Sequence, residues 1–281
     1  MMMMSKFWTN TCFIGALSLS GSLLPASAAL IVNPAVAITE VVTVQPIIVS
    51  DTSGANAADF FGTAQQQTNI EGFIDTIWAQ AGIDVNFLPS NTWDNTFANW
   101  GAGGPPDNSG NQRPATDLGS VVRNGASAGV ASTDPNVINM YFVNIPAGFA
   151  LLDDNTSAGI GFVSDNGIMQ YVGANLPGFN GGQEVVAGVV AHEIGHNLGL
   201  DHLTASENLM QPAGSANPGF RLNSSQITTA LASNLSVVSP VPVPSTLILM
   251  LSGLLGLFGV FSGKRRTPLM MLGADDPLSS R

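Results

Sequence analysis

The spacing of apolar residues in the middle of the chain predicts a strand, a helix and a second strand in close succession. Residues 41–49 are mostly β-branched and predict a strand. Apolar side chains then recur at helical spacing over 70–81, which indicates one face of an amphipathic helix, and Gly82 is expected to end it. Apolar and polar residues alternate over 83–87, so a strand follows directly.

The remainder of the central region predicts further strands and two helices. Apolar runs at 138–143 and 168–172 predict strands that flank a turn-rich segment. Residues 183–198 predict a helix, and a last short helix is expected over 223–232, with Gln226 placed to complete its N-terminal cap. The order of these elements predicts one domain in which helices and strands are mixed.

One long stretch between these elements has little periodicity. Residues 91–128 are rich in Gly, Pro, Asn and Asp, which favour turns over regular structure. We therefore expect a long surface excursion in this part of the chain.

The N-terminal end has the layout of a secretory signal peptide. Lys6 precedes an apolar run over 13–24, and Ala26-Ser27-Ala28 offers small residues for cleavage. The alternative is a buried N-terminal helix, which Pro25 disfavours. We expect residues 1–28 to act as the signal for export to the cell envelope or the extracellular space.

The C-terminal end predicts an attachment to the membrane. After a domain over 29–239, residues 240–245 form a Pro-rich linker, and the apolar residues 246–263 are long enough, as a helix, to span about 27 Å. Basic residues open a tail over 264–281, and their charge favours the cytoplasmic side. This arrangement resembles the PEP-CTERM sorting signal, with Val243 where that motif has glutamate. The resemblance implies membrane retention and transfer by an exosortase-type enzyme, and a simple anchor is the alternative.

The charge of the chain disfavours one class of partner. The chain has 8 basic and 19 acidic side chains, and its formal net charge is −11. Phosphate backbones bind proteins with clustered Lys and Arg, so we expect no nucleic-acid partner.

The candidate chemistry is concentrated in the sequence HEIGHNLGLDH at residues 192–202, which contains all 3 histidines of the chain. On a helix that turns about 100° per residue, His192 and His196 lie about 40° apart, so both imidazoles can reach one zinc ion. Gly199 can adopt the left-handed conformation that ends a helix, and the turn can bring His202 back as a third ligand. The spacing therefore predicts a zinc site with three histidine ligands.

The predicted zinc site has an open coordination position. Three histidines leave the fourth position of tetrahedral zinc free, as in catalytic sites. A water in that position has its pKa lowered towards about 7, which makes it a nucleophile near neutral pH. Glu193 lies beside the two helical ligands and can reach this water without binding the metal. These positions predict hydrolysis by a zinc-bound water that Glu193 activates as a general base.

The motif H-E-x-x-H-x-x-G-x-x-H resembles that of the metzincins, a clan of zinc endopeptidases. Met210 follows His202 closely and matches the methionine of the turn that lies beneath the metal in that clan. The resemblance implies an α+β fold with a mixed, mostly parallel, twisted sheet, an active-site helix and a C-terminal helix. It also implies cleavage of protein or peptide substrates, with an extended peptide paired to an edge strand built from residues 159–172.

Two alternatives to a peptidase stay open. A surface or extracellular-matrix protein, structural or adhesive, could keep the zinc site without peptidase activity, although a structural site has no use for a base such as Glu193. A zinc hydrolase that acts on another type of bond is the second alternative.

Two acidic turns are weaker candidates for calcium ligands. Asp153-Asp154-Asn155 and Asp165-Asn166-Gly167 offer oxygen atoms, but neither has the spacing of an EF-hand, and ordinary turns are the alternative. Asp201 either orients a zinc-binding histidine or is solvated at the end of the helix.

Overall fold

The computed structural model describes residues 30–103, 117–146, 158–173, 182–212 and 219–239. The predicted signal peptide, the Pro-rich linker, the apolar segment and the basic tail all lie outside the described residues. Within the described ranges, no helix has both the length and the apolar character needed to cross a bilayer.

A seven-stranded sheet forms the centre of the domain. Its main path runs through β2 (Ile83–Phe87), β1 (Glu40–Ser50), β4 (Val137–Pro146), β6 (Ile168–Gly173) and β5 (Gly159–Gly161). The pairs β1–β2, β1–β4 and β4–β6 are parallel, and β5 runs antiparallel to β6 at the end of the path. The short strands β3 (Asn91–Asp94), which is parallel, and β7 (Ser236–Val238), which is antiparallel, also pair with β1.

Helices cover both faces of this sheet. On one face, α1 (Ala64–Trp78) packs against α4 (Gln183–Asn197), and α5 (Ser224–Leu231) contributes to the same core. On the other face lie α2 (Thr96–Asn99) and α3 (Leu118–Ser127). Alternate residues of the central strands divide between the two layers: Val42, Val44, Ile138 and Met140 face α1 and α4, whereas Ile47, Val49, Tyr141 and Val143 face α3. Because both faces of the sheet are buried, the sequences of these strands are continuous apolar runs rather than alternating patterns.

The structure confirms most of the predicted elements, including the α+β class and the mixed, mostly parallel sheet. The predicted helix over 70–81 corresponds to α1 and a 3₁₀ turn at Ala79–Ala81, and Gly82 ends it with φ of 73°. α1 begins before the apolar stripe because Thr63 and Gln66 form a capping box at its N-terminus. The last helix begins as predicted, with Asn223 and Gln226 in a second capping box.

The prediction of a long surface excursion over 91–128 is wrong for residues 91–103 and 117–128, and the part over 104–116 lies outside the described residues. This stretch contains β3, α2 and α3, and four of its residues are buried in the core on the second face of the sheet: Trp93, Ala98, Leu118 and Val121. The elements are short and contribute only one or two apolar anchors each, so their periodicity is hidden among turn-forming residues. Their stability comes from the sheet surface that they cover rather than from local propensity.

Candidate metal centre

Helix α4 presents two of the predicted ligands on the side opposite its apolar stripe. His192 and His196 lie on this helix, and Glu193 follows the first of them. Five apolar residues on the opposite side of this helix are buried in the core that α4 shares with α1: Ala187, Val190, Ala191, Ile194 and Leu198. Packing of that stripe fixes the rotation of the helix, and the rotation aims both imidazoles away from the core.

Gly199 ends α4 as predicted, with φ of 93°. The N–H of Leu200 donates to the carbonyl of Gly195 and the N–H of Gly199 donates to the carbonyl of His196, both at 2.9 Å. This is the Schellman pattern that reverses the chain at a helix end. The same turn places the carbonyl of Leu200 2.7 Å from Nδ1 of His196. One turn therefore both ends the helix and orients the second histidine.

The turn brings His202 back to the two helical histidines. Nε2 of His202 lies 3.3 Å from Nε2 of His192 and 3.2 Å from Nε2 of His196. Nitrogen ligands at about 2.0–2.1 Å from a tetrahedral zinc ion lie about 3.3–3.4 Å from one another. Two of the three separations between ligand nitrogens therefore match a shared zinc ion, and the ligand atoms of all three histidines lie within 4.8 Å of one another.

The hydrogen bonds of the imidazoles determine which nitrogen is free to bind a cation. Nδ1 of His192 lies 2.7 Å from the carbonyl oxygen of Leu209, and Nδ1 of His196 has the same contact with Leu200. A carbonyl oxygen only accepts, so each Nδ1 carries the proton and each neutral ring keeps its lone pair on Nε2. Lone pairs directed at one point repel each other unless a cation lies between them. Neutral imidazole nitrogens with free lone pairs are also the donors that zinc binds.

Burial keeps these rings neutral. Desolvation lowers the pKa of His192 to about 4, although its hydrogen bond to the carbonyl of Leu209 opposes the change. Desolvation also lowers the pKa of His196, again against a carbonyl hydrogen bond. At neutral pH both side chains are therefore available as metal ligands without the loss of a proton.

The predicted methionine lies directly beneath the helix that carries the ligands. Met210 is fully buried, and a Cβ atom added to Gly195 would lie 2.6 Å from its sulfur atom. The carbonyl of Met210 accepts the N–H of Leu203 at 2.9 Å, immediately after the third histidine. Leu209, the residue before Met210, supplies the carbonyl that orients His192. This turn thus contacts His192 directly and contacts the residues adjacent to His196 and His202.

Glu193 lies in a recess between α4 and the edge strand β5. Its side chain is 6% exposed, and burial raises its pKa to about 8, while a hydrogen bond from the N–H of Gly161 acts in the opposite direction. A Cβ atom on Gly159 would lie 3.0 Å from Cγ of Glu193, and one on Gly161 would lie 2.9 Å from its carbonyl oxygen. The two glycines allow β5 to approach the carboxyl closely. A nearby divalent cation favours the ionised form, which can act as a base.

Sequence reasoning missed these two glycines and the amide of Asn197. Asn197 Nδ2 donates to the carbonyls of Phe162 and Gly167, and its Oδ1 accepts the N–H of Gly167 at 3.0 Å. These bonds join the C-terminal end of α4 to the turn between β5 and β6. The pattern Gly-Ile-Gly at 159–161 is a signal for close backbone approach that could have indicated the recess.

The other candidate residues do not orient the two helical histidines, although the charge of Asp201 acts on His196. Asp201 is exposed, and the imidazoles of His192 and His196 donate to backbone carbonyls rather than to its carboxylate. Asn166 forms part of a turn, where its amide bonds the backbone of Val137 and Asn139. The other predicted calcium turn, at residues 153–155, lies outside the described residues.

Comparisons with known proteins point to the same chemistry. The matrixin family model matches residues 153–230, which contain the three histidines and the methionine turn. No curated protein matches the chain by sequence.

The solved structures that the chain resembles include two archaemetzincins and one metalloproteinase. Archaemetzincin from Methanopyrus kandleri has 14% identity and a TM-score of 0.42, over 69% of this chain and 95% of that protein. Archaemetzincin from Archaeoglobus fulgidus, complexed with malonate, has 13% identity and a TM-score of 0.36, over 67% and 99%. Metalloproteinase-II from Bacteroides fragilis has 14% identity and a TM-score of 0.39, over 71% and 58%.

These TM-scores describe weak likeness, so the assignment depends on the family model and on the donor geometry. The three histidines can hold one metal ion, with ligand atoms that all lie within 4.8 Å of one another. The matrixin match and this histidine group together support a metzincin-type zinc peptidase.

Proposed function

We propose that the chain is a zinc-dependent endopeptidase in which His192, His196 and His202 hold the metal and Glu193 is the general base. One observation carries the proposal: Nε2 of His202 lies at the separation that tetrahedral zinc requires from Nε2 of both His192 and His196, and Glu193 places a buried carboxyl beside this group. A structural zinc site in an adhesion or matrix protein needs no such carboxyl. The recess that β5 provides for Glu193 therefore favours the enzyme.

The residues of the chain have separate tasks in the proposed reaction. When bound, zinc polarises the scissile carbonyl and increases the acidity of the attacking water. Glu193 removes a proton from that water and later transfers it to the leaving amine. The N–H of Gly161 holds the carboxylate while it acts. Because Glu193 follows His192 on a helix packed from both sides, its carboxyl is positioned before substrate binds.

The proposed substrate is an extended peptide that pairs with β5. This strand lies at the end of the main path of the sheet and directly beside Glu193. Edge strands offer backbone N–H and C=O groups, and extended peptides bind to such edges by adding a strand. Pairing along the backbone allows cleavage within a chain, which is the basis for proposing an endopeptidase.

The test of this function replaces Glu193 with glutamine, which keeps the shape of the side chain and removes the base. We expect Glu193→Gln to retain zinc and to lose cleavage of an unfolded, fluorescently labelled protein by about 10²–10⁴-fold. Glu184→Gln, on the first turn of the same helix, is the matched control and should cleave at the wild-type rate. Cleavage by the Glu193 variant at the wild-type rate would show that the base is assigned wrongly.

A second outcome would favour the adhesion or matrix protein. If the wild-type chain binds stoichiometric zinc but releases no peptides from the unfolded substrate, with or without a chelator, the zinc is structural. Mass spectrometry of the released fragments also separates internal cleavage from removal of terminal residues.

We further propose that residues 1–28 direct export and that the segments over 240–281 anchor the protein in the cell envelope, at least transiently. The support is the order of charged, apolar and small residues at each end of the sequence. Mass spectrometry of both termini of the mature protein tests this, with Ala29 expected as the first residue. Recovery of an intact Met1 in a soluble cell fraction would contradict export.

A further inference from the structure

A buried pair of side-chain amides connects the metal centre to the C-terminal helix. Asn208 Nδ2 donates to Gln226 Oε1 at 2.9 Å, and Gln226 Nε2 donates to Asn208 Oδ1 at 3.0 Å. Both residues are buried. Within the pair, each amide donates once and accepts once, so both of these hydrogen bonds require both partners. Hydrogen bonds of this kind are strong in a low-dielectric environment and costly to leave unmade.

On one side, the pair reaches a metal ligand through the methionine turn. Asn208 Oδ1 also accepts the N–H of Met210 at 2.9 Å, which fixes the turn formed by residues 208–210. Leu209 lies within that turn, and its carbonyl oxygen is 2.7 Å from Nδ1 of His192. The position of the Asn208 amide therefore determines where the carbonyl that orients His192 lies.

On the other side, the pair reaches the first turn of α5. Gln226 Oε1 accepts the N–H of Asn223 at 2.9 Å, and Asn223 Oδ1 accepts the N–H of Gln226 at the same distance. The backbone of Arg221 supports the connection, since its carbonyl accepts the N–H of Leu209 at 2.9 Å. A continuous series of hydrogen bonds thus runs from the capping box of α5 to His192.

We propose that Asn208 and Gln226 are positioning residues for the metal: they hold the Leu209 carbonyl in the place where it orients His192. Gln226 then has a second role besides capping its own helix, and residues 219–231 complete the metal centre without contributing a ligand. This inference rests on the proposed zinc site. Outer-sphere partners that orient a ligating histidine contribute about 10–100-fold to metal affinity.

The chain contains a matched control for this proposal. Thr63 and Gln66 form the same type of capping box at the start of α1, where Gln66 Oε1 accepts the N–H of Thr63 at 2.9 Å. This cap is on the surface, whereas the one that contains Gln226 is joined to Asn208. Identical substitutions at Gln66 and Gln226 therefore separate the effect of a helix cap from the effect of the amide pair.

The experiment replaces each glutamine with glutamate in the full chain. Gln226→Glu keeps oxygen acceptors for Asn223 and for Asn208 Nδ2, so the cap survives, but it cannot donate to Asn208 Oδ1. Zinc affinity is measured by competition with a chromophoric chelator, beginning from metal-free protein. We expect Gln226→Glu to bind zinc about tenfold more weakly than the wild type and Gln66→Glu to bind it with unchanged affinity.

Asn208→Asp is a second substitution that removes one hydrogen bond of the same amide pair. The aspartate still accepts from Met210 and from Gln226 Nε2, but it cannot donate to Gln226 Oε1. We expect a similar loss of zinc affinity, so the proposal is tested even if Gln226→Glu does not fold. Thermal denaturation of the metal-free variants identifies such a failure.

The outcomes distinguish this inference from the proposed function. If the wild type binds zinc and Gln226→Glu binds it equally well, the positioning role is wrong while the zinc site stands. An equal loss in Gln226→Glu and Gln66→Glu also overturns the role, because it would reflect general destabilisation. If the wild type binds no zinc at all, the zinc site itself is wrong.

Discussion

Helices α1 and α4 both contain 15 residues and pack against each other, yet they are built differently. α1 begins with a side-chain capping box, buries one apolar stripe and leaves the rest of its surface partly buried or exposed. α4 begins after Gly182, which has no side chain with which to cap it, and buries the polar residues Glu193, His196 and Asn197. α1 thus has a local cap in addition to its buried stripe, whereas α4 lacks a side-chain cap and its buried Glu193 and Asn197 depend on contacts with the distant residues 161–167.

The glycines of the two helices show the same difference. Gly72 of α1 has open space where a Cβ atom would lie. A Cβ atom on Gly188 of α4 would lie 2.1 Å from the ring of Phe220, and one on Gly195 would meet the sulfur of Met210. Glycine weakens a helix, so its presence at these two positions reflects close packing against the segments that complete the metal centre. In α4, glycine at these two positions lowers the local stability of the helix but allows Phe220 and Met210 to pack closely against it.

Metal removal should change the free energy of unfolding more than any substitution below. Two of the proposed zinc ligands lie on α4 and none lies on α1. At a hundredfold excess of zinc over its dissociation constant, the free energy of unfolding should increase by about 2.7 kcal/mol. Thermal denaturation with zinc and with a chelator measures the difference. His202→Ala, which removes an exposed ligand, should abolish the gain. Equal stability of the wild type under both conditions would contradict a zinc site coupled to folding.

Gly188→Ala should destabilise the protein by about 2 kcal/mol. The added methyl group overlaps the ring of Phe220, and relief requires a shift of buried residues. Chemical denaturation measures the change in the free energy of unfolding. Gly72→Ala is the matched control and should stabilise the protein by about 0.5–1 kcal/mol, because alanine favours an exposed helix interior. If both variants changed the free energy of unfolding in the same direction, the proposed difference in packing between the two helices would be wrong.

Thr63→Ala should cost about 1 kcal/mol of stability and leave zinc affinity unchanged. Thr63 Oγ1 accepts the N–H of Gln66 at the start of α1, and alanine leaves that donor without its cap. Denaturation and zinc titration of the same sample measure both quantities. Thr63→Ser keeps the hydroxyl and should behave like the wild type. A decrease in zinc affinity would show that α1 contributes to the metal centre after all.

The effect of Asp75→Asn should be no larger than that of Thr63→Ala and should appear only above mildly acidic pH. Burial in α1 raises the pKa of Asp75 from 3.8 to about 6, although the N–H of Val85 stabilises the carboxylate. The contribution of Asp75 to stability is therefore fully present below about pH 4 and is lost as the pH rises through about 6. The group is partly solvated, so the loss is screened to about 1 kcal/mol.

Asparagine keeps an acceptor for Val85 and does not ionise. At pH 7.5 we expect the Asp75→Asn variant to be more stable than the wild type by about 1 kcal/mol. At pH 4 the two proteins should have the same free energy of unfolding. Denaturation curves across this pH range measure the difference. A constant difference between the two proteins at every pH would show that ionisation of Asp75 is not its cause.

The sequence predicted the strands and the longer helices well because their periodicity is strong over at least five residues. It failed over 91–128, where β3, α2 and α3 each bury few apolar side chains. Elements of that kind are stable only on the sheet that they cover, so no local pattern identifies them.

Sequence and structure also differ in what they reveal about the candidate site. The convergence of His192, His196 and His202 was predictable, because helical rotation and a glycine turn are local properties. The carbonyl of Leu200 that orients His196 is equally local. The other partners were not predictable, since Leu209, Gly161 and Gln226 are distant along the chain from His192, Glu193 and Asn208, the groups that they contact. The paired amides of Asn208 and Gln226 have no sequence signal of their own.

By itself, the sequence determined the identity of the donor atoms and their spacing around one point, because backbone geometry links neighbouring residues directly. Only the tertiary structure decided how those donors are held: which carbonyl orients His192, which strand encloses Glu193 and which helix supports the methionine turn. The physical reason is that hydrogen bonds and packing between distant segments form only when the whole core assembles. They depend on the summed burial of many residues rather than on any local pattern.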